Sequence, residues 1–372
     1  MVYKRPVWAE IDHDAIKKNV QAIKKTLDDS TLFMAVVKAN AYGHGIIEVA
    51  KTATSAGAKR LGVALLEEAI ALRNGGITLP VQLLSEIPRN GVIDAIDFDI
   101  TVSIYTESLL EEVKKEARLR GKKVKVHLKV DTGMKRAGAG SDEARSLYEQ
   151  MIDDEYIDLE GVFTHFAVAD DPSDTFTGKQ LDALLELKKD FKTGLIWHAA
   201  NSAATLFFPE SRLDMVRIGI ALYGLQPSHV LKSNVELIPA LSLKAKIALV
   251  KNLKEGEGVS YGLTYRAGKD HLVGVLPIGY ADGYSRILSN RSEVLLQGRR
   301  TPVIGRVCMD QLLIEIPDDL RISDQEVVTL IGCDKDDCVT AEELGDIMGT
   351  INYEITCAIS ERVPRIDKRS DA

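Results

Sequence analysis

The sequence predicts an α/β fold: a (β/α)8 barrel of the TIM type over residues 1–240, followed by a mostly β domain over residues 241–372. Eight short apolar runs alternate with amphipathic stretches between about residues 31 and 225. After about residue 240 the texture changes, and strand-like runs follow one another with only turns between them. A chain of 372 residues also exceeds what one hydrophobic core serves, so two domains are the default.

The apolar runs are "LFMAVVK", "LGVA", "PVQLLS", "FDITVS", "VKVHLKV", "LEGVFTH", "LIWHA" and "DMVRIGI". Near-continuous apolar strands need cover on both faces, which a ring of helices around a barrel supplies. A doubly wound open sheet meets the same need, and strand counting does not separate the two. The intervening segments read as helices: "TESLLEEVKKEARLR" sets Leu109, Leu110, Val113 and Ala117 on one face, and "GKQLDALLELKKDF" repeats the pattern. Gly57, Gly75, Gly121 and Gly194 follow such segments where a left-handed cap fits. "DHDAIKKNVQAIKKTL" opens a first helix on an Asp cap. The first ten or so residues precede this alternation and are candidates to pack with the second domain. In that domain only "TAEELGDIMG" reads as helical, capped by Thr340.

With 45% apolar and 27% charged residues the chain reads as globular, and its net charge of −8 argues against a broad nucleic-acid footprint. No apolar run is long enough to span a bilayer and no secretory signal is visible, so a cytoplasmic protein is expected. Cys308, Cys333, Cys338 and Cys357 lack a metal-type spacing and are expected to be reduced thiols, with no metal site.

Barrel chemistry gathers at the carboxyl ends of the strands. Those ends supply Lys38, Ser85, Lys129, His165, His198 and Arg217. A lone strand-end Lys usually snorkels to water and a lone His usually packs; six polar groups at one rim point to a site. After the seventh run, Asn201 and Ser202 open a helix; after the eighth, Gly219 offers exposed backbone N–H groups. Loops in these positions commonly hold a phosphate. No Walker-type loop is present, so a phosphorylated cofactor or sugar fits better than a nucleotide. A lysine made nucleophilic by partial desolvation, joined to pyridoxal 5'-phosphate, explains Lys38 and the phosphate cradle together.

"AVVKANAYGHG" closely resembles the cofactor-lysine motif of the alanine racemases, the barrel-fold class of pyridoxal-phosphate enzymes. The resemblance continues in family order through "KVDTGMKR", "THFAVAD", "HAANSAATL", "RIGIALYGL", "VSYGLTY", "IGYADGYSR", "GRVCMDQ" and "INYEI", spanning almost the whole chain. It implies an isomerase that interconverts L- and D-alanine by a two-base mechanism, supplying D-alanine for peptidoglycan, as a homodimer with shared active sites. It implies that Lys38 carries the cofactor and acts as one base, and that Tyr261 of the β domain is the other, reaching the barrel of the other subunit. Arg217 would bond the pyridine nitrogen, with His165 bridging Arg217 toward the tyrosine and His198 beside them. Tyr42, Ser202, Gly219, Ile220 and Tyr353 align with phosphate contacts. Arg136 and Met309 align with substrate-carboxylate contacts, and Lys129 with a lysine that can be carbamylated and paired to that arginine. Tyr280, Cys308 and Asp310 would line the substrate side, Tyr280 at the entrance, Cys308 as a wall and Asp310 orienting a neighbour.

Tyr265 lies four residues beyond Tyr261, but the "SYG" context favours Tyr261; His44 and His127 read as structural. The alternatives are a serine or broad-specificity racemase of the same fold, a decarboxylase of the same architecture, and a non-catalytic pyridoxal-phosphate carrier. A decarboxylase of this class places an acidic residue where Arg217 stands, and a carrier is a lone barrel with no use for Tyr261.

Overall fold

The structure is a computed structural model that describes residues 5–171, 173–228, 230–231, 233–322 and 325–368. The chain divides into two compact units: residues 14–41 with 45–238, and residues 1–13 with 42–44 and 239–372. Strands are numbered in chain order, and β1 (Val7–Ile11) belongs to the second unit.

The first unit contains β2 (Leu32–Val36), β3 (Arg60–Val63), β4 (Val81–Leu83), β5 (Val102–Ile104), β6 (Val124–Lys129), β7 (Ile157–Phe163), β8 (Ile196–His198) and β9 (Met215–Ile218). All pair in parallel, as β9-β2-β3-β4 and β5-β6-β7-β8. Two seams close the ring. Leu83 N donates to Thr101 O at 3.0 Å and Thr101 N to Val81 O at 2.9 Å, joining β4 to β5. Asp214 N donates to Trp197 O and Arg217 N to Ala200 O, each at 3.0 Å, joining β8 to β9. The strands therefore form a barrel, and the open-sheet competitor is excluded. Their residues are buried on both faces, as at Met34, Leu61, Val126 and Val216, which is why the runs are continuously apolar.

Each strand is followed by helical cover. The helix Glu107–Arg120 starts on Thr106, whose hydroxyl accepts from Leu109 N, and stops at Gly121, which is left-handed at φ 59. The expected left-handed cap at Gly75 falls one residue later: Gly75 has φ −76 and Gly76 has φ 81. Among the described residues no helix is long and apolar enough to cross a membrane.

The second unit is mostly β: β10 (Leu241–Lys246), β11 (Leu249–Leu253), β12 (Gly258–Val259), β13 (Tyr265–Arg266), β14 (His271–Leu276), β15 (Glu293–Leu296), β16 (Arg299–Ile304), β17 (Leu312–Ile316), β18 (Val327–Asp334), β19 (Asp337–Val339) and β20 (Arg365–Asp367). Its main sheet runs β11-β14-β17-β16-β15-β18-β10-β1-β20. β1 is inserted between β10 (antiparallel) and β20 (parallel). The helix Ala341–Met348 is capped by Thr340, as its sequence indicates. A second helix, Asn352–Cys357, is too short to show a period in sequence.

The expectation of four reduced thiols is corrected here. The β18–β19 hairpin sets Cys333 directly opposite Cys338, and the two form a disulfide across a turn of Lys335 and Asp336. Cys308 and Cys357 take no part in that disulfide.

Candidate active site

In the first unit the site begins where β2 ends. The strand stops at Val36, and Lys38–Tyr42 forms a single turn wound the wrong way. Ala39, Asn40 and Ala41 sit at φ 52, 52 and 55 with ψ 53, 45 and 51, and Tyr42 continues at φ 52. Left-handed backbone costs a non-glycine residue on the order of 1 kcal/mol or more, so surrounding bonds must hold it. Val37 N donates to Gly62 O at 2.8 Å, Ala39 N to Glu68 Oε1 at 2.5 Å, Ala41 N to Val37 O at 2.9 Å and Ile46 N to Asn40 Oδ1 at 2.9 Å. The result is a half-buried Lys38 fixed at the rim by a turn with little freedom.

Arg217, near the end of β9, organises the barrel mouth. Its NH1 donates to His198 Nδ1 at 3.0 Å. Its NH2 reaches Thr164 O at 2.7 Å, Ala199 O at 2.9 Å and His165 Nδ1 at 3.1 Å. Arginine only donates, so both Nδ1 atoms must accept and each histidine carries its proton on Nε2. Burial, and then the Arg217 charge, pushes both histidines well below their ordinary pKa, so both are neutral. Burial draws Arg217 down to about 9, which leaves it charged at neutral pH. Phe163 stacks on His198 with ring centroids 4.7 Å apart, fixing the ring plane.

Lys129 closes β6 with its ammonium on Leu84 O at 2.8 Å and above the rings of Phe163 and Tyr105 at 5.5 and 5.8 Å. Burial, followed by the charges of Arg217, Arg136 and Lys38, draws its pKa down to about 8. Lys129, Arg136, Thr164 and His165 line one recess. The loop carrying Arg136 is shaped by Asp131, whose Oδ1 accepts from Gly133 N at 2.8 Å and Lys135 N at 3.1 Å. Ser85 follows Leu84 and is half-buried.

At the opposite seam Asn201 caps the helix Ser202–Phe207 by accepting from Ala204 N at 2.9 Å. Ser202 Oγ accepts from Gly219 N at 2.9 Å and from Ala221 N at 3.4 Å. A hydroxyl with two lone pairs already engaged sends its own proton to a third group. Together with Ile220 in the same turn, this donor set suits an anion such as a phosphate, and the Lys38 amine and Arg217 guanidinium suit the rest of pyridoxal phosphate.

The second unit holds its own group of residues. Tyr42 and Tyr353 approach with ring centroids 6.1 Å apart. Between them and the chain, Gly43 tolerates no side chain, since a Cβ there would lie 2.1 Å from Thr356 O. Tyr261 opens a short turn after Ser260, which is left-handed at φ 61 and anchored to Arg306 O at 2.6 Å. Ser260 Oγ also contacts Cys308 Sγ at 3.2 Å. Tyr280 N donates to Cys308 O at 3.0 Å and Ala281 N to Met309 O at 3.1 Å, while Asp310 pairs with Arg362 at 2.5 Å. Tyr261, Tyr280, Cys308, Met309 and Asp310 thus share one face. Tyr261 is 73% exposed and Met309 53%. Tyr265 instead bonds Glu315 at 3.2 Å and contacts His271 at 3.3 Å.

Lys38, Lys129, His165, His198, Ser202, Arg217 and Gly219 therefore meet in one unit, and Tyr42 with Tyr353, then Tyr261 with its neighbours, meet in the other. Sequence reasoning passed over Thr164 and Phe163, and it read His127 as a structural residue although its ring bonds His198 at 2.9 Å. A histidine two residues before Lys129 in the strand "VKVHLKV", and so on the same face of it, is the signal that could have raised it.

A closed barrel with a lysine on its rim and neutral histidines locked by a buried arginine defines an enzyme built for proton transfer beside an amine. Family models for the alanine racemase N-terminal and C-terminal domains match residues 11–227 and 240–367. Alanine racemase 2 of Oceanobacillus iheyensis is 41% identical over 98% of this chain and 94% of its own length. The alanine racemase of Symbiobacterium thermophilum is 43% identical over 97% of both. The crystal structure of alanine racemase from Bacillus anthracis with bound L-Ala-P superimposes with TM-score 0.94 at 40% identity, over 100% of this chain and 97% of that one. A histidine racemase from Leuconostoc mesenteroides does so with TM-score 0.92 at 31% identity, over 98% of this chain and 99% of that one. The chain belongs to the alanine racemase family.

Proposed function

We propose that this protein is a pyridoxal-phosphate-dependent racemase that interconverts L- and D-alanine with two bases, working as a homodimer in the cytoplasm and supplying D-alanine for peptidoglycan. The observation that carries this reading is the single buried guanidinium of Arg217 serving the Nδ1 atoms of both His165 and His198 at the rim that also presents Lys38.

Bound there, pyridoxal phosphate would acidify the Cα proton of an amino acid joined to it. Lys38 takes or returns that proton on one face and Tyr261 on the other, so a proton removed from one side is replaced from the opposite side and the configuration inverts. Arg217 holds the pyridine nitrogen; as a donor that stays charged, it offers a hydrogen bond without surrendering a proton. His165, with Nδ1 occupied, turns its Nε2–H outward to steady the phenolate of Tyr261. Arg217 carries the positive charge of this pair, because His165 itself is neutral. Ser202, Gly219 and Ile220, with Tyr42 and Tyr353, hold the phosphate. Arg136 and Met309 take the substrate carboxylate, and Tyr280, Cys308 and Asp310 line the approach. Lys129, drawn down to about 8, keeps about a tenth of its amine neutral at pH 7 and can add carbon dioxide, releasing a proton. The carbamate so formed would turn its repulsion of Arg136 into attraction.

Tyr261 is 73% exposed and gains its low-dielectric surroundings from the second subunit. Broader substrate range is the second reading, because a histidine racemase shares the fold at 31% identity. Proton NMR of L-alanine with the cofactor-loaded enzyme in heavy water, followed by chiral analysis, tests the proposal. Loss of the Cα proton with appearance of D-alanine is expected. Exchange without inversion would overturn the role of Tyr261, and absence of exchange would overturn the substrate.

A further inference from the structure

The polar network at Arg217 does not end at the two histidines it touches. His198 Nε2 lies 2.9 Å from His127 Nδ1 in the middle of β6. His127 Nε2 faces Glu160 Oε2 at 3.6 Å, a charge contact longer than a hydrogen bond, and the same oxygen is 2.8 Å from Arg60 NH2 at the start of β3. The line runs inside the barrel, from the last residue of β8 through β6 and β7 to the first residue of β3. His127 and His198 are fully buried, and Arg60 is 7% exposed.

The backbone is shaped around this line. β6 and β7 are in register at Val126 with Leu159 and again at His127 with Gly161, so Glu160 is the extra residue of a bulge. Gly161 has no alternative: a Cβ there would lie 2.6 Å from His127 Cε1 and 2.7 Å from its Nδ1. Burial opposes charging Glu160, yet the contacts with His127 and Arg60 outweigh it and hold the carboxyl at about 2, so it is ionised.

The Arg217 end of the line sets its polarity, and the Glu160 carboxylate, in ion-pair range of His127 Nε2, agrees with it. Arg217 can only donate, so His198 accepts on Nδ1 and carries its proton on Nε2. That proton goes to His127 Nδ1, which leaves the His127 proton on Nε2, facing a carboxylate that can only accept. The opposite pair of tautomers would set N–H against N–H at Arg217 and a lone pair against a carboxylate at Glu160.

We propose that His127, Glu160 and Arg60 are positioning residues for the reaction: their relay locks His198 as an Nε2–H tautomer and so fixes the guanidinium of Arg217. The proposal rests on Arg217 holding the cofactor ring, but the tautomers themselves are a property of the cofactor-free protein. The first test is therefore histidine-selective nitrogen NMR on that protein at neutral pH. A protonated Nε2 and bare Nδ1 in both His127 and His198 are expected; a protonated Nδ1 in either would overturn the relay, whatever the enzyme does with alanine.

Two substitutions then separate positioning from packing. His127→Asn places an amide oxygen near the position of Nδ1, whereas His127→Phe keeps the ring and removes the acceptor. With the loaded enzyme, kcat is expected to stay within about threefold for H127N and to fall at least about tenfold for H127F, the rate equivalent of one lost hydrogen bond, with KM for L-alanine little changed. In the cofactor-free variants, the His198 tautomer should persist in H127N and be lost or mixed in H127F. Equal losses in both folded variants, or an unaltered His198 signal in H127F, would overturn the proposal. Should H127F fail to fold, the nitrogen spectrum of the unsubstituted protein and the H127N variant still decide it.

Discussion

The barrel mouth and the tyrosine-bearing face of the β unit solve opposite problems. At the mouth Arg217 is 4% exposed and His198 fully buried, and the guanidinium alone serves four acceptors. On the β face Tyr261 is 73% and Tyr280 43% exposed, and the surrounding contacts anchor the backbone rather than the phenol rings. The barrel arranges its groups in advance and desolvates them itself. The β face presents groups that its own chain leaves open to solvent. Substitutions in the first region should therefore damage folding and activity together, and those in the second should damage activity alone.

The largest effect should come from Lys38→Ala, which removes the amine on which the proposed chemistry depends; racemisation measured by chiral chromatography should fall by a factor of about 10⁴ or more. Tyr261→Phe should cost about 10³ in the same assay. Its melting temperature should stay unchanged, because the change removes only a hydroxyl and keeps the ring, which its own chain leaves 73% exposed. A large drop in melting temperature would erase the contrast between the two regions. Arg217→Met should lower both, leaving two histidine nitrogens and two carbonyls without their donor, at a cost of about 3 kcal/mol or more in denaturant titration.

Lys129 offers a test by pH. Its folded pKa of about 8 lies below the ordinary lysine value of 10.5, so between these limits the unfolded chain holds a proton that the folded protein has released. Stability must then rise with pH across that window, by at most about 3 kcal/mol. Lys129→Met should remove that rise. A carbamylated Lys129 would not titrate there, and the rise would appear only after carbon dioxide is stripped. The smallest effect belongs to Tyr280→Ala, expected to leave stability within about 0.5 kcal/mol and to move KM rather than kcat.

Much of the barrel half could be read in advance because its geometry is general: eight apolar strands closing on themselves must bring their carboxyl ends together, and Lys38, Lys129, His165, His198 and Arg217 stand at those ends. The β face could not be read that way. Tyr261 and Met309 lie in exposed turns with no period, and only their resemblance to family motifs singled them out. Other features depend on partners far away in sequence. The bulge at Glu160 exists only through the pairing of β7 with β6, so His127 looks in sequence like a packing residue. The left-handed turn at Ala39–Tyr42 is built, Asn40 apart, from residues that do not favour it and is held by Gly62 and Glu68. Cys333 and Cys338 become a pair only once β18 turns back onto β19.

The central claim is that one site is completed by residues from two chains, and mixing two inactive variants tests it most directly. Lys38→Ala and Tyr261→Phe proteins, allowed to exchange subunits, form mixed dimers in which one of the two sites carries both an intact Lys38 and an intact Tyr261. With half the dimers mixed and one site intact in each, the account predicts recovery to about a quarter of the unsubstituted activity. No recovery, with mixed dimers shown to be present, would contradict it.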